Sequence, residues 1–399
     1  MALAKRNGYT FASLFSGCGG FDFGFMQAGL RCIAAFDIDR VAIENHRRNL
    51  GAPATVCDLL NGIPVDHLDE VDVLIAGPPC QGFSLAGVRN VDDPRNRLLP
   101  LAAKLATQIL PKVFVVENVA GVKAGSHKAY WDCLDHILRG AGYATHELIC
   151  AGTDYGIPQL RKRCFFVAWR TGRNICEVGL HTPGGVLRDV LQDLKGTENH
   201  EPSWLEPESK LSAIAKHLQP GQKLCNVREG KRAVHTWNIP EVFGPTTPKE
   251  RRILHALLRL RRRRRVRSTG DADPVPIEAL RAELSFPVDS FLERLIRKGF
   301  VRRRGILFDL AHTFNGKFRR LDWNQPSYTV DTRFGDPRYF LHPAEQRGFS
   351  VREAARIQGF PDSFVFSGPI RTQFRVVGNA VPPPMSRALA EMIRRALLD

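Results

Sequence analysis

The chain predicts an α/β protein: an open, mainly parallel sheet, with a separate and smaller helical piece placed late in the sequence. Two observations carry that prediction. The first 170 residues alternate short apolar runs with helix-period stretches, the pattern of strands joined by crossover helices. The charge is also uneven. The net charge is +16, and residues 249–320 alone hold 20 Lys or Arg against 8 Asp or Glu. Three quarters of the excess therefore sits in less than a fifth of the chain, the electrostatic footprint of a nucleic-acid binder.

Taken in order, strands are expected at 11–15, 32–36, 71–76, 113–116 and 144–149. A further strand at 164–169 is expected to run antiparallel, because only a loop separates it from its predecessor. Helices fall at 41–49, 98–110 and 130–139. After Arg170 the pattern breaks into Gly- and Pro-rich stretches. Order returns with an apolar helical face of Ile253, Leu254, Leu257, Leu258 and Leu260, continued by the run 261–265. Ile277, Leu280 and Leu284 mark a second helix. Phe291, Leu292, Leu295 and Ile296 mark a third, stopped by Gly299. FVRRRGILFDL then reads as two short strands around a basic turn. Three helices and a hairpin resemble a winged helix-turn-helix. From about Pro326 the α/β pattern resumes and ends in a helix at 385–398.

Composition excludes several classes. With 399 residues, 43% of them hydrophobic, the chain can bury two cores. No run of eighteen apolar residues and no apolar signal core appear, so a cytoplasmic protein without a membrane partner is expected. The nine cysteines are scattered without a C-x-x-C pair, which argues against a disulfide framework or a metal site.

Several stretches carry chemistry. In VLIAGPPCQGFS (73–84) a buried strand is stopped by two prolines, which present Cys80 at the strand's C-terminal edge, where open α/β sheets bind ligands. A lone Cys is usually core, but packing needs no Pro-Pro lead-in. In FSGCGGFDFGF (15–25), Gly17, Gly19 and Gly20 permit a tight turn into a helix. The place of a third phosphate-loop glycine holds Asp22 instead. Strand two ends in Asp37-Ile38-Asp39, and Asp58 follows what reads as strand three. These acids suit a ribose and an adenine amino group, or else they cap helices. The cofactor is thus a dinucleotide or S-adenosylmethionine. Finally, VFVVENV (113–119) brings Glu117 to the same edge as Cys80 as a partly desolvated proton donor, and QLRKR sets Arg161 and Arg163 two apart at the mouth of a strand.

FSGCGG, DID, GPPCQGFS, ENV, QLRKR, REAARIQGFPD (352–362) and RVVGNAVPP (375–383) together resemble, in order and spacing, the blocks of the DNA (cytosine-5) methyltransferases. The resemblance covers 10–170 and 326–395, and is to the bacterial restriction-modification type. It implies a Rossmann-like, S-adenosylmethionine-dependent sheet at 1–172, a partly winged-helix-like target-recognition domain at 173–325, and a return to the catalytic domain at 326–399. It further implies that Cys80 adds to C6 of a flipped cytosine, Glu117 holds N3, and Arg161 and Arg163 orient thiol and base, with Arg161 the stronger candidate. Phe15, Gly17, Gly19, Asp37, Ile38, Asp58 and Asn379 would bind the cofactor. Asp37 departs from the family's usual Glu at the ribose. Gln81, Ser84, Arg302, Arg303 and Arg304 would contact double-stranded DNA. Arg352 is expected to pack between domains, and Cys18 has no evident role. A monomer paired with a restriction endonuclease is expected. The alternatives are a tRNA cytosine methyltransferase, a DNA-binding regulator on a dead scaffold, and a dinucleotide oxidoreductase, which leaves GPPCQGFS unexplained.

Overall fold

A computed structural model describes residues 8–63, 68–79, 93–123, 125–170, 175, 182–266, 272–314 and 316–398. Cys80, Gln81 and Ser84 lie outside the described residues. The chain divides into two compact units. The first comprises Met1–Glu201, Asn324–Arg333 and Ser350–Asp399; the second comprises Pro202–Trp323 and Phe334–Phe349. The first unit thus continues to Glu201, beyond the 172 boundary read from the sequence, and the second takes back 334–349. The reason is pairing: Leu187 N–H donates to Gln325 O at 3.2 Å, and Gly348 N–H to Ser203 O at 2.9 Å.

The first unit begins with β1 (Thr10–Leu14), α1 (Gly20–Gln27), β2 (Arg31–Asp37), α2 (Arg40–Leu50) and β3 (Ala54–Val56). It continues through β4 (Val73–Ala76), α3 (Leu98–Ile109), β5 (Val113–Val119), α4 (Lys128–Gly140), β6 (Ala144–Ala151), β7 (Lys162–Trp169) and the short α5 (Leu187–Val190). The seven strands form one sheet in the order β3-β2-β1-β4-β5-β7-β6. β7 inserts between β5 and β6, antiparallel to both. Strands with both faces covered read as continuous apolar runs, and Val73–Ala76 is buried throughout. The winding reverses between β1 and β4, the switch point at which such sheets open a crevice beyond their C-terminal ends.

The second unit holds α6 (Lys210–Lys216), β8 (Lys223–Leu224), β9 (Ala233–Val234), α7 (Pro240–Phe243) and α8 (Pro248–Arg263). After these come β10 (Val275–Pro276), α9 (Ile277–Glu283), α10 (Asp289–Arg297), β11 (Val301–Arg304), β12 (Leu307–Leu310), β13 (Arg319–Arg320) and β14 (Phe340–Leu341). α8 starts on a capping box: Thr247 Oγ1 accepts from Glu250 N–H at 3.3 Å, and Thr247 N–H donates to the Glu250 carboxylate at 2.7 Å. The expected three helices are joined by a sheet ordered β10-β12-β11, so a third strand accompanies the hairpin. Val275 was not legible as a strand because β10 is only two residues long. The basic turn is corrected. Arg302, Arg303 and Arg304 lie in β11 itself, and Gly305-Ile306 make the turn. Alternation therefore sends Arg303 to the opposite face from Arg302 and Arg304.

The chain returns to the first unit as α11 (Val351–Ile357), α12 (Ile370–Asn379) and α13 (Pro383–Leu398). α13 packs tightly on α1, where a Cβ on Gly24 would come within 2.5 Å of Arg387 N. Arg352 is buried and donates to Glu198 O at 2.9 Å, Pro361 O at 3.1 Å and Phe364 O at 3.0 Å. All three carbonyls belong to the first unit, so Arg352 ties one unit internally rather than packing between two. No described helix is long and apolar enough to cross a membrane.

Candidate active site

The glycine loop is braced from below by residues that motif matching passes over. Asp22, in the place of a third glycine, is fully buried; it accepts from Ser13 Oγ at 3.0 Å and pairs with His46 Nε2 at 2.9 Å. His46 in turn fills the space under Gly19, where a Cβ would meet its Cδ2 at 2.8 Å. Glycine is required there twice over, since Gly19 also has φ +91°. Phe15 takes φ +55°, a left-handed conformation costly for a bulky residue and of the kind held at ligand sites. Cys18 points into the core: its Sγ donates to Val376 O at 3.6 Å, and burial pushes its pKa up to about 12. It is an inert packing thiol.

Around this loop the ends of β2 and β3 supply the expected cofactor residues. Asp37 accepts from Gly17 N–H and Asp39 N–H, both at 2.8 Å. Burial raises its pKa, and the two amides only partly offset this. Asp37 is therefore no helix cap, whereas Asp39 is, accepting from Val41 and Ala42 N–H at the start of α2. Burial opposes ionisation of Asp39, but its ion pair with Arg375 and the helix amides prevail and hold its pKa low. Asp58 accepts from Leu60 N–H at 3.1 Å, the capping role weighed against adenine binding. Ile38 stands 67% exposed at the strand end, an apolar face with room for a flat ring. Asn379 ends α12 and is exposed. It is beside the loop, because Gly20 lies so close to the residues that follow it that a Cβ would reach Val381 O at 2.5 Å. An open loop backbone, a carboxylate and an exposed apolar side chain at the switch point fit a ribose-bearing cofactor.

On the other side of the switch, Ala76 pairs with Val116 across β4 and β5. Glu117 is thus level with Gly77, the first residue of the Gly-Pro-Pro lead-in to Cys80. Its side chain is nearly buried and bound to Arg163 Nε at 2.6 Å. Register explains the pair. Glu117 faces Phe165 on β7, and Arg163, two residues away, shares its face of the sheet. Asn118, buried on the opposite face, donates to Pro78 O at 3.5 Å and so steadies the lead-in. Arg161 behaves differently. It is fully buried and donates to Val330 O at 3.1 Å, Gly378 O at 3.2 Å and Ala380 O at 2.9 Å. The two arginines are placed differently: Arg163 stands at Glu117, and Arg161 donates to backbone carbonyls. Gln159 extends these contacts, donating to Ile357 O at 3.3 Å and accepting from Val330 N–H at 2.8 Å.

The family model for C-5 cytosine-specific DNA methylase matches residues 9–395. The chain belongs to that family. This methylase is 30% identical to the Type II methyltransferase M.AgeI of Thalassovita gelatinovora, over 96% of this chain and 99% of that one. It is 29% identical to M.XorII of Xanthomonas oryzae pv. oryzae, over 96% and 84%. A protein described as a DNA modification methyltransferase of an Escherichia coli prophage shares the fold at TM-score 0.61 and 21% identity, covering 98% of this chain and 100% of that chain. The methylase is accordingly a DNA cytosine-5 methyltransferase. The match spans both units, so the sequence expectations of family and of an α/β sheet hold.

Of the residues expected to contact DNA, Arg302, Arg303 and Arg304 belong to the second unit. Arg303 is bound to Glu293 at 2.5 Å and stacks over Phe308 at 5.2 Å. Arg304 lies 3.8 Å from Asp309, which Arg261 holds at 2.5 Å. All three arginines of β11 are exposed. Only Arg302 and Arg304 share a face, so they are not a single cluster.

Proposed function

We propose that this methylase transfers a methyl group from S-adenosylmethionine to C5 of a cytosine flipped out of a specific duplex sequence, through a covalent bond between Cys80 and C6. The observation that carries the reading is the Glu117–Arg163 pair, level with Gly77 and reached from the same switch point as the Asp37–Ile38 edge. Phe15, Gly17 and Gly19 line the cofactor, Asp37 takes the ribose, Ile38 the adenine face and Asp58 the adenine edge, and Asn379 closes the site. The bound cofactor supplies an electrophilic methyl group on a sulfonium.

The chain's residues do the rest. Cytosine C5 is a poor nucleophile, and in a duplex C5 and C6 are hidden in the stack. Cys80 adds as thiolate to C6, and the electron pair of the C5–C6 double bond becomes available at C5 for the new bond to the methyl carbon. Glu117 holds N3 with a proton between them, so that negative charge does not build up on the ring. Arg163 orients Glu117 and faces the base. Arg161 works at one remove, through the backbone it clamps. Loss of the C5 proton to a base restores the double bond and expels Cys80.

The first unit is the catalytic body and the second the target-recognition domain. Gln81 and Ser84, which follow Cys80 in the sequence, meet DNA, and Arg302 and Arg304 meet phosphates. The enzyme acts as a monomer in the cytoplasm and protects host DNA from a cognate endonuclease. Bisulfite sequencing of DNA from a methylation-free host tests the reading. Resistant cytosines in one short context, absent with Cys80→Ser, are expected. Soluble wild-type protein that leaves every cytosine convertible removes the reading and turns attention to tRNA.

A further inference from the structure

We infer that α10 is the base-reading helix of this methylase, and that its outward row Ser290, Glu293, Arg294 and Arg297 sets the sequence context of methylation. The inference rests on the proposed reaction with duplex DNA. Three helices and the β10-β12-β11 sheet make a winged helix in which α9 and α10 form the helix-turn-helix pair. In that arrangement the second helix of the pair enters the major groove.

The sequence of α10 suits that position. Leu292 and Leu295 are 1% and 0% exposed and hold its inner face in the core with Val288. The spacing i, i+3, i+4, i+7 then puts Ser290, Glu293, Arg294 and Arg297 in one row on the opposite face. Their chemistry covers the groove's code: guanidinium forks suit guanine O6 and N7, a carboxylate accepts from the cytosine amino group, and a hydroxyl serves either.

Two members of the row are mounted before DNA arrives. The Arg294 guanidinium lies over the Phe291 ring at 4.3 Å, with its Nε 3.6 Å from the buried Glu250. Glu250 is in turn held by Lys298 at 2.9 Å and by the α8 capping box. Glu293 is held by Arg303 at 2.5 Å. Preset directions lower the ordering cost of recognition. Arg297 is exposed and has no carboxylate partner among the described residues. The exposed arginines 262–265 at the end of α8 lie beside β12, because the buried Arg261 before them reaches Asp309. They are placed for phosphates, which position a protein without reading sequence.

The test compares full-length wild type with Arg297→Ala, Arg297→Lys and Glu293→Gln, and with Arg262→Gln/Arg264→Gln as control. Each protein selects from a random-sequence duplex pool. The wild type is expected to enrich one sequence. The α10 variants lose the preference at one or more positions by about tenfold or more. Lys at 297 does not restore it, since it cannot fork. The control keeps the preference while weakening all sequences alike, with a shallower salt dependence. Variants that enrich the wild-type sequence with unchanged strength overturn the inference. So does a wild type that enriches none, or that prefers a structured RNA pool. Bisulfite sequencing of the selected duplex after incubation with S-adenosylmethionine separates the two claims. Selection without methylation sinks the reaction and leaves the reading helix standing.

Discussion

Arg161 and Arg163 are one residue apart from being neighbours, yet they do unrelated work. Arg163 holds Glu117 at the sheet's edge; Arg161 satisfies three carbonyls in the interior. Arg161→Ala strands those carbonyls and is expected to cost about 3 kcal/mol of stability, read as a lower denaturation midpoint in urea. Arg163→Ala leaves the nearly buried Glu117 without its ion-pair partner and should cost about 1 kcal/mol, less than Arg161→Ala, while methylation falls about a hundredfold or more. Equal destabilisation by both would contradict the assignment. Asp37 makes a pH prediction. Its folded-state pKa is raised, so the folded chain holds this proton more tightly than the unfolded one. Its contribution to stability therefore declines as pH rises from the ordinary aspartate value through the folded one. The proposed ribose contact needs the carboxylate, so cofactor affinity should rise over the same interval and fade on acidification earlier than an ordinary aspartate would allow. Calorimetric titration across pH checks this; Asp37→Asn should bind S-adenosylmethionine about tenfold more weakly with that transition gone.

At the scale of elements, the cofactor edge depends on helices far apart in sequence. α13 lies against α1 so closely that Gly24 has no room for a methyl group, and the Ser386 hydroxyl donates to Phe21 O. Gly24→Ala is expected to cost about 1–3 kcal/mol, because backbone atoms of α13, Arg387 N and Pro383 O, stand in the way together with the Ser386 hydroxyl. Thermal melting measures it, and a value near zero would mean that α13 can slide. The strand order contributes as directly. Antiparallel β7 beside β5 is what brings Arg163 to Glu117; a parallel neighbour would have delivered the other end of the strand.

Across the whole molecule, charge is divided between units, and most of the positive excess belongs to the second. Neutralising Arg302, Arg303 and Arg304 together should weaken DNA binding and flatten its salt dependence. Arg303 already serves Glu293 and turns to the other face, so the slope of log affinity against log salt should shallow by about two rather than three, at about 0.9 per phosphate contact. Binding isotherms at several salt concentrations decide it. An unchanged slope would remove β11 from the DNA interface.

What the sequence determined alone follows from local rules. Apolar runs such as VLIA and VFVV can only be covered strands, the Thr247–Glu250 box starts a helix wherever it is placed, and seven ordered blocks name the family. Glu117 was legible for the same reason, since a carboxyl directly after four buried apolar residues marks where the strand leaves the core, although β5 itself runs on to Val119. The rest waited on tertiary structure. Partners separated by up to hundreds of residues, such as Arg161 with Ala380, leave no periodic trace in the chain. Asp22 looked like a defect in a glycine motif until His46 and Ser13 closed around it. A strand only two residues long, Val275–Pro276, carries too few side chains to declare a period. Local pattern tells which residues are buried or turned outward; which buried or charged groups meet is decided by strand order and helix packing, because only these bring distant segments within bonding distance.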